Sequence, residues 1–148
     1  MLKNLREFFL TVFIPLLYLL TILIFLKTKG VFGFGVIYLA ILGIILAFIG
    51  LSFWVCGFLS LGPKAFSVLP KAKILKTSGV YKYFHHPIYL GIILTCFGLS
   101  LSLGSQVGLF YTIFIVIPLN ILRAAKEEKV LLKEFGQEYL KYKKKTLL

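Results

Sequence analysis

The sequence predicts an all-α integral membrane protein: about four transmembrane helices plus a cytoplasmic C-terminal amphipathic helix, in a single membrane domain over residues 1–148. Three observations predict it. Hydrophobic residues make up 59% of the 148 and charged residues 15%, where a soluble domain carries roughly 25% charged residues. Mean hydropathy is +0.97, and the apolar residues are gathered into long uninterrupted runs. The net charge of +12, from 17 Lys and Arg against 5 Glu and no Asp, is confined to the segments before, between and after those runs. Disorder, collagen-like repeats and a disulfide scaffold are excluded by the same composition. Cys56 and Cys96 both lie inside apolar runs and are expected to be small packing residues.

A spanning helix needs about 20 predominantly apolar residues. The first predicted span is 8–26, closed by Lys27-Thr28-Lys29-Gly30. No small-residue cleavage site follows it, so it is expected to be retained. The second lies within an uncharged run from Val31 to Leu61, longer than the bilayer core requires. Gly33 and Gly35 make its start irregular, so it is placed at 34–61, with Gly62-Pro63 as the stop. Pro87 suits the first turn of a helix and opens a third span, 87–103. Gly104-Ser105-Gln106 is an uncharged tight turn, and a fourth span, 107–122, carries Pro118 and Asn120 near its end.

Basic residues set topology. With the N-terminus inside, fifteen of the seventeen fall on the cytoplasmic side and only Lys27 and Lys29 outside, so both termini are expected in the cytoplasm. Two spans carry small-residue faces at alternating three and four spacing: Ala40, Gly43, Ala47, Gly50 and Gly57 in the second, Gly91, Thr95, Gly98 and Ser102 in the third. Such faces let helix backbones approach closely in lipid, or leave room for a lipid tail.

The polar segments carry the chemistry. The cytoplasmic loop 62–86 is basic, punctuated by Pro63, Pro70 and Gly79, and ends in Tyr81, Tyr83, Phe84 and then His85-His86-Pro87-Ile88-Tyr89. Pro87 disfavours helical geometry at His86, which holds the two imidazoles on a turn at the mouth of the third span. An interfacial aromatic belt with lysines facing headgroups is the alternative account of this segment. Two adjacent histidines with no Asp and no nearby Cys supply at most two ligands, so no metal is expected. A Ser-His-Asp triad fails for want of Asp, and the glycines lack the spacing of a dinucleotide or phosphate loop.

The C-terminal helix, expected over 123–145, presents Leu131, Leu132, Phe135, Tyr139 and Tyr142 on one face and Lys126, Lys129, Lys133 and Lys144 roughly opposite. Arg123 and Glu127 are one turn apart on a flank, close enough to pair. A basic amphipathic helix on anionic lipid explains the lysines. It leaves unexplained Glu128, within about 60° of every member of the apolar face at 100° per residue. A charge where the chain leaves a membrane usually has a partner or a function.

At these residues the sequence resembles the isoprenylcysteine carboxyl methyltransferase family, within a wider group that includes phospholipid N-methyltransferases. The resemblance rests on Thr77-Ser78-Gly79-Val80-Tyr81-Lys82-Tyr83-Phe84-His85-His86-Pro87-Ile88-Tyr89-Leu90-Gly91 before a span. It rests equally on Arg123-Ala124-Ala125-Lys126-Glu127-Glu128 with Phe135-Gly136 and Glu138-Tyr139-Leu140-Lys141-Tyr142-Lys143-Lys144 after a helical hairpin. It covers roughly 62–145. It implies S-adenosylmethionine as cofactor, contacted around Lys73, Ile74, Leu75 and Lys76, then by Tyr81, His86, Pro87, Ile88, Tyr89 and Glu127. It also implies a substrate-side arginine at Arg123. His85 stands where the family usually has Arg.

Methyl transfer from a sulfonium is an in-line displacement that needs positioning and charge complementarity and no metal or nucleophilic side chain. Arg123 suits an anionic acceptor, and Glu128 or His85 would serve as base for an amine acceptor; Arg123 and Glu128 are the expected catalytic residues. The resulting expectation is a membrane methyltransferase acting on a lipid or lipid-modified acceptor, by carboxyl O-methylation of an isoprenylcysteine-like compound. Phosphatidylethanolamine N-methylation is the alternative. An NADPH-dependent reductase, which would want an arginine cluster where only Arg6 and Arg123 exist, and a non-enzymatic membrane scaffold are the remaining classes. The expected partners are membrane lipids and a prenylated substrate, with no nucleic acid.

Overall fold

The computed structural model describes residues 16, 20–24, 27, 37–61 and 75–147. Among them the regular elements are all helices, with one isolated bridge and no strand. Helix α1 is Ile37–Leu61, α2 is Pro87–Ser102, α3 is Gln106–Phe135 and α4 is Gln137–Lys143. Residues 16, 20–24 and 27 are helical as well, and Ile24 packs on a small cluster of Cys96 and Val116. The rest of the first predicted span, the start of the second and residues 62–74 of the loop lie outside the described residues.

Two helices, α1 and α3, are long and apolar enough to cross a membrane, and α2 is a shorter apolar helix. Sixteen residues of α2 rise only about 24 Å, less than a hydrocarbon core of about 30 Å. Helix α1 exposes large apolar side chains all round, Tyr38, Phe48 and Leu59 most of all, and buries little besides Gly43, Gly50 and Gly57. Water would not tolerate that surface; lipid suits it. The chain is a membrane protein by this surface and by its composition.

The three buried glycines show what the small-residue faces do. Helices α1 and α2 run antiparallel, with Gly43 against Gly98 and Ser102, Gly50 against Gly91 and Thr95, and Gly57 against Ile88. A Cβ placed on Gly91 would stand 2.5 Å from the Trp54 nitrogen and 2.7 Å from the Gly50 carbonyl. The two backbones therefore touch along the whole seam. The expected packing of the second and third spans is present, and the seam holds no room for a lipid tail.

Helix α2 starts as expected, with His86 outside helical geometry (φ −129°, ψ 54°) and Pro87 at its first position. It ends at Ser102, one residue before the expected boundary, and Gly104 turns the chain at φ 61°. Ser105 then caps α3, its hydroxyl accepting from the Gly108 N–H at 2.9 Å. Ser100 and Thr112 face each other across the α2–α3 contact at 3.4 Å, each hydroxyl also donating to a carbonyl one turn back.

Helix α3 departs most from the sequence expectation. It runs through Pro118, as the expected span 107–122 does, and then past Leu122 without a break. Proline lacks an N–H and its ring collides with the carbonyl four residues back. Here Thr112–Val116 widens into a π turn, closed by the Ile117 N–H on the Thr112 carbonyl, and the helix runs on unbroken to Phe135. The fourth span and the charged segment after it are thus one rod. That rod stops where the C-terminal helix was expected to continue: Gly136 takes φ 49°, and the short α4 folds back from it.

Candidate active site

The fold brings the two motif segments together. Residues 79–82 form a single 3-10 turn, opened by Gly79 at φ 66°, that delivers Tyr83 to His86 to the start of α2. Phe84 wedges its ring edge-on against Phe53 of α1 at 5.0 Å. The charged half of α3, beyond the apolar stretch that ends at Leu122, runs past this turn, and α4 closes over it. The Tyr142 hydroxyl donates to the Tyr81 carbonyl at 2.6 Å. The tail pairs with the same turn: the Leu147 N–H donates to the Tyr83 carbonyl at 2.7 Å and the His85 N–H to the Leu147 carbonyl at 3.3 Å.

At the centre lies Glu128. Both imidazoles turn Nε2 toward its Oε1, His85 at 3.3 Å and His86 at 3.3 Å, while Lys143 of α4 donates to its Oε2 at 2.6 Å. The outward nitrogens are held too. His86 Nδ1 lies 3.7 Å from Glu127 Oε2, and His85 Nδ1 lies 3.4 Å from the Thr146 hydroxyl. The rings are 4.7 Å apart. Both histidine side chains are nearly covered, at 9% and 10% exposure, whereas Glu128 keeps 27%. One open edge of the cluster therefore faces outward on the carboxylate side.

Burial sets the charge states. His86 is pushed down to about 4 by its desolvation and by the neighbouring His85, with Glu128 opposing only in part. His85 is lowered for the same first reason, again against Glu128. Desolvation alone would raise Glu128, but the Lys143 ammonium, with His86, outweighs it and holds the carboxyl below its ordinary range. Glu127 moves the other way: burial raises it, and the Tyr89 hydroxyl bond and the Arg123 charge offset only part of that. The cluster at neutral pH is two neutral imidazoles around a carboxylate already satisfied by a lysine.

Arg123 does not close an ion pair with Glu127. Its guanidinium lies over the Tyr89 ring at 5.4 Å and reaches Glu127 only by its field. Tyr89 thus joins the two, giving its ring to Arg123 and its hydroxyl to Glu127. Tyr81 is buried beneath Tyr142, and Pro87 is fully buried at the head of α2. Ile88 abuts Gly57 of α1. Leu75 and Lys76 are half-buried in irregular chain, with no hydrogen bond or ion pair to the cluster among the described residues. Lys73 and Ile74 lie outside the described residues.

Three members of the cluster were not read from the sequence as site residues: Lys143, Thr146 and Tyr139. Lys143 and Thr146 come into reach only because Gly136 reverses the chain, a turn that a continuous helical wheel hides. Tyr139 is 2% exposed, its hydroxyl has no hydrogen-bond partner among the described residues, and the Glu127 and Glu128 charges bear on it. An orphaned buried hydroxyl costs about 1–3 kcal/mol.

Comparison with known proteins follows the same residues. A family model described as phospholipid methyltransferase matches residues 38–138, which takes in α1 to α3 and the start of α4. Three curated relatives are named protein-S-isoprenylcysteine O-methyltransferase. The one from Saccharomyces cerevisiae is 34% identical over 87 residues, covering 55% of this chain and 36% of its own length. That from Schizosaccharomyces pombe is 32% identical over 76 residues, 51% of this chain and 32% of its own. The Xenopus laevis relative is 30% identical over 113 residues, 74% of this chain and 39% of its own. The chain thus spans about a third of the length of the relatives it matches. No solved structure matches it significantly.

Proposed function

This chain belongs to the phospholipid methyltransferase family, and from that premise we propose that it is a multi-pass membrane methyltransferase using S-adenosylmethionine on a lipid-modified acceptor, by carboxyl O-methylation of an isoprenylcysteine-like compound. Four spans with both termini cytoplasmic are part of the reading. The relatives' names support the acceptor class. The geometry adds one observation that separates the two acceptor chemistries: Glu128 is engaged by Lys143 at 2.6 Å and by two imidazoles.

An amine acceptor must lose a proton, and the base that takes it should be free and near neutrality in pKa. Glu128 is neither. A carboxylate acceptor is already ionised and needs no base. What it needs is orientation, and Arg123 can supply two parallel N–H donors to a carboxylate. In this reading Arg123 is the catalytic, substrate-orienting residue. Glu128 becomes a positioning residue that fixes the His85–His86 turn to α3.

The residues present fit the cofactor. When bound, S-adenosylmethionine supplies an electrophilic methyl group on a sulfonium whose departure leaves a neutral thioether. Glu127, made less acidic by burial, offers an acceptor for the cofactor's polar groups, and the unpartnered Tyr139 hydroxyl offers a donor beside it. His86 to Tyr89 form the adjoining wall, with Tyr81 and the chain near Leu75 and Lys76 at its approach. Lys73 and Ile74 remain in the proposed set.

Calorimetric titration of the protein in lipid nanodiscs with S-adenosylmethionine tests the class. Saturable binding is expected, and none up to millimolar cofactor overturns it. Methyl-labelled cofactor supplied with a prenylated cysteine and with phosphatidylethanolamine, in parallel, tests the acceptor: label is expected on the carboxyl group of the first. Label on the phospholipid alone would replace it with N-methylation, the reading favoured by the family description.

A further inference from the structure

We propose that His85, His86 and Glu128 form a binding site for a divalent transition-metal ion of the zinc class. Two adjacent histidines alone gave at most two ligands; the fold adds a third from 42 residues along the chain. The ligand atoms of the three residues all lie within 4.8 Å of one another. Around tetrahedral zinc, with bonds of about 2.0–2.1 Å, ligand atoms stand roughly 3.4 Å apart. Both histidine-to-carboxylate separations are 3.3 Å and converge on the one oxygen, Oε1.

The surroundings match what a metal site requires beyond its ligands. Metal-binding imidazoles have their other nitrogen fixed by a carboxylate, carbonyl or hydroxyl partner. His86 Nδ1 faces Glu127 Oε2 at 3.7 Å and His85 Nδ1 faces the Thr146 hydroxyl at 3.4 Å. Lys143 holds Oε2 of Glu128, which leaves Oε1 turned to the histidines. The lysine's charge opposes a cation, while Glu127 and Glu128 together favour one. Three protein ligands with Glu128 partly open leave a fourth position for water or an incoming group, so the ion is exchangeable rather than a sealed structural one. Its mechanical effect is to clamp residues 83–86 to α3.

The site shares His86 with the proposed cofactor pocket but does not depend on the methyltransferase reading. Cobalt is the probe, because it replaces zinc and shows intense visible bands when four-coordinate. The full chain in nanodiscs, stripped with chelator and free of cofactor, is titrated with cobalt chloride. One equivalent is expected to bind with micromolar affinity or tighter, with visible bands that zinc abolishes and a raised Tm. His85→Arg can still donate to Glu128 but cannot ligate; it and Glu128→Gln are expected to lose the bands while remaining monodisperse. Lys143→Met removes the opposing charge and is expected to tighten cobalt binding several-fold. Absence of bands at millimolar cobalt overturns the proposal. So do bands undiminished in folded His85→Arg, or a folded Lys143→Met with unchanged affinity. Cofactor binding measured separately in chelator reads the methyltransferase proposal, so the two fail independently.

Discussion

Glu127 and Glu128 are neighbours in sequence with similar side-chain exposure, 33% and 27%, and the difference between their partners assigns their tasks. Glu128 is saturated by Lys143 and two imidazoles; Glu127, raised by desolvation, has the Tyr89 hydroxyl, His86 Nδ1 at 3.7 Å and the field of Arg123. Glu127→Gln keeps the shape and removes the acceptor charge. It is expected to lower methyl transfer by about 10²–10³-fold, the scale of losing one well-placed electrostatic contact, with Tm unchanged. Activity within a factor of two of the parent would remove Glu127 from the site. Tyr139→Phe separates ligand binding from stability more sharply. Deleting a hydroxyl that is orphaned in the free protein should raise Tm slightly, since its burial penalty goes with it. Cofactor affinity should meanwhile fall by about tenfold, the equivalent of one hydrogen bond of about 1.4 kcal/mol. A lowered Tm with unchanged affinity would show a purely structural tyrosine. His86, Tyr89, Arg123 and Glu127 were legible because they lie inside dense motifs. Tyr139 was legible only as a member of an apolar face, since periodicity records that a side chain is covered and not that its polar atom lacks a partner.

At the scale of elements, glycine positions carry the argument. Gly91→Leu puts atoms where the Trp54 backbone already lies. Neither helix can yield without opening the seam, so the variant is expected to lose at least the 1–3 kcal/mol typical of overpacking, read as a large fall in Tm in detergent. Gly136 is the opposite case. Nothing lies within 4 Å of a Cβ there, and the cost comes from φ 49° alone. Gly136→Ala should therefore cost roughly 1–2 kcal/mol and disturb mainly the reach of Lys143 to Glu128. Equal Tm losses in the two variants would contradict the seam. The seam itself was readable, because three- and four-residue spacing of small residues is a property of one helix. The passage of α3 through Pro118 was readable too, within the expected span 107–122, but its π turn and its stop at Gly136 were not. Proline and glycine signal a possible break, and whether a π turn absorbs the one while a positive φ enforces the other depends on what packs beside them.

For the molecule as a whole, the charge of +12 on so apolar a chain has two separable causes. The three lysines on the charged half of α3, Lys126, Lys129 and Lys133, are all exposed. They fit the role of orienting the chain and meeting anionic headgroups. Lys143 is the exception, spent inside the site. The distribution thus ties orientation to chemistry: if positive residues stay in the cytoplasm, the His85–His86 turn, the charged half of α3 and α4 all open to that side, where a soluble cofactor and a prenylated substrate would arrive. The arrangement predicts sidedness that labelling can read. In a background with Cys56 and Cys96 replaced by serine, Lys76→Cys and Lys129→Cys should react with a membrane-impermeant maleimide only after the cells are permeabilised. Lys29→Cys, in the first of the two loops assigned to the far side, should react in intact cells. The reverse pattern would invert the topology and place the site outside. Reaction of all three from one side would instead remove a span between Lys29 and Lys76, the stretch that holds α1.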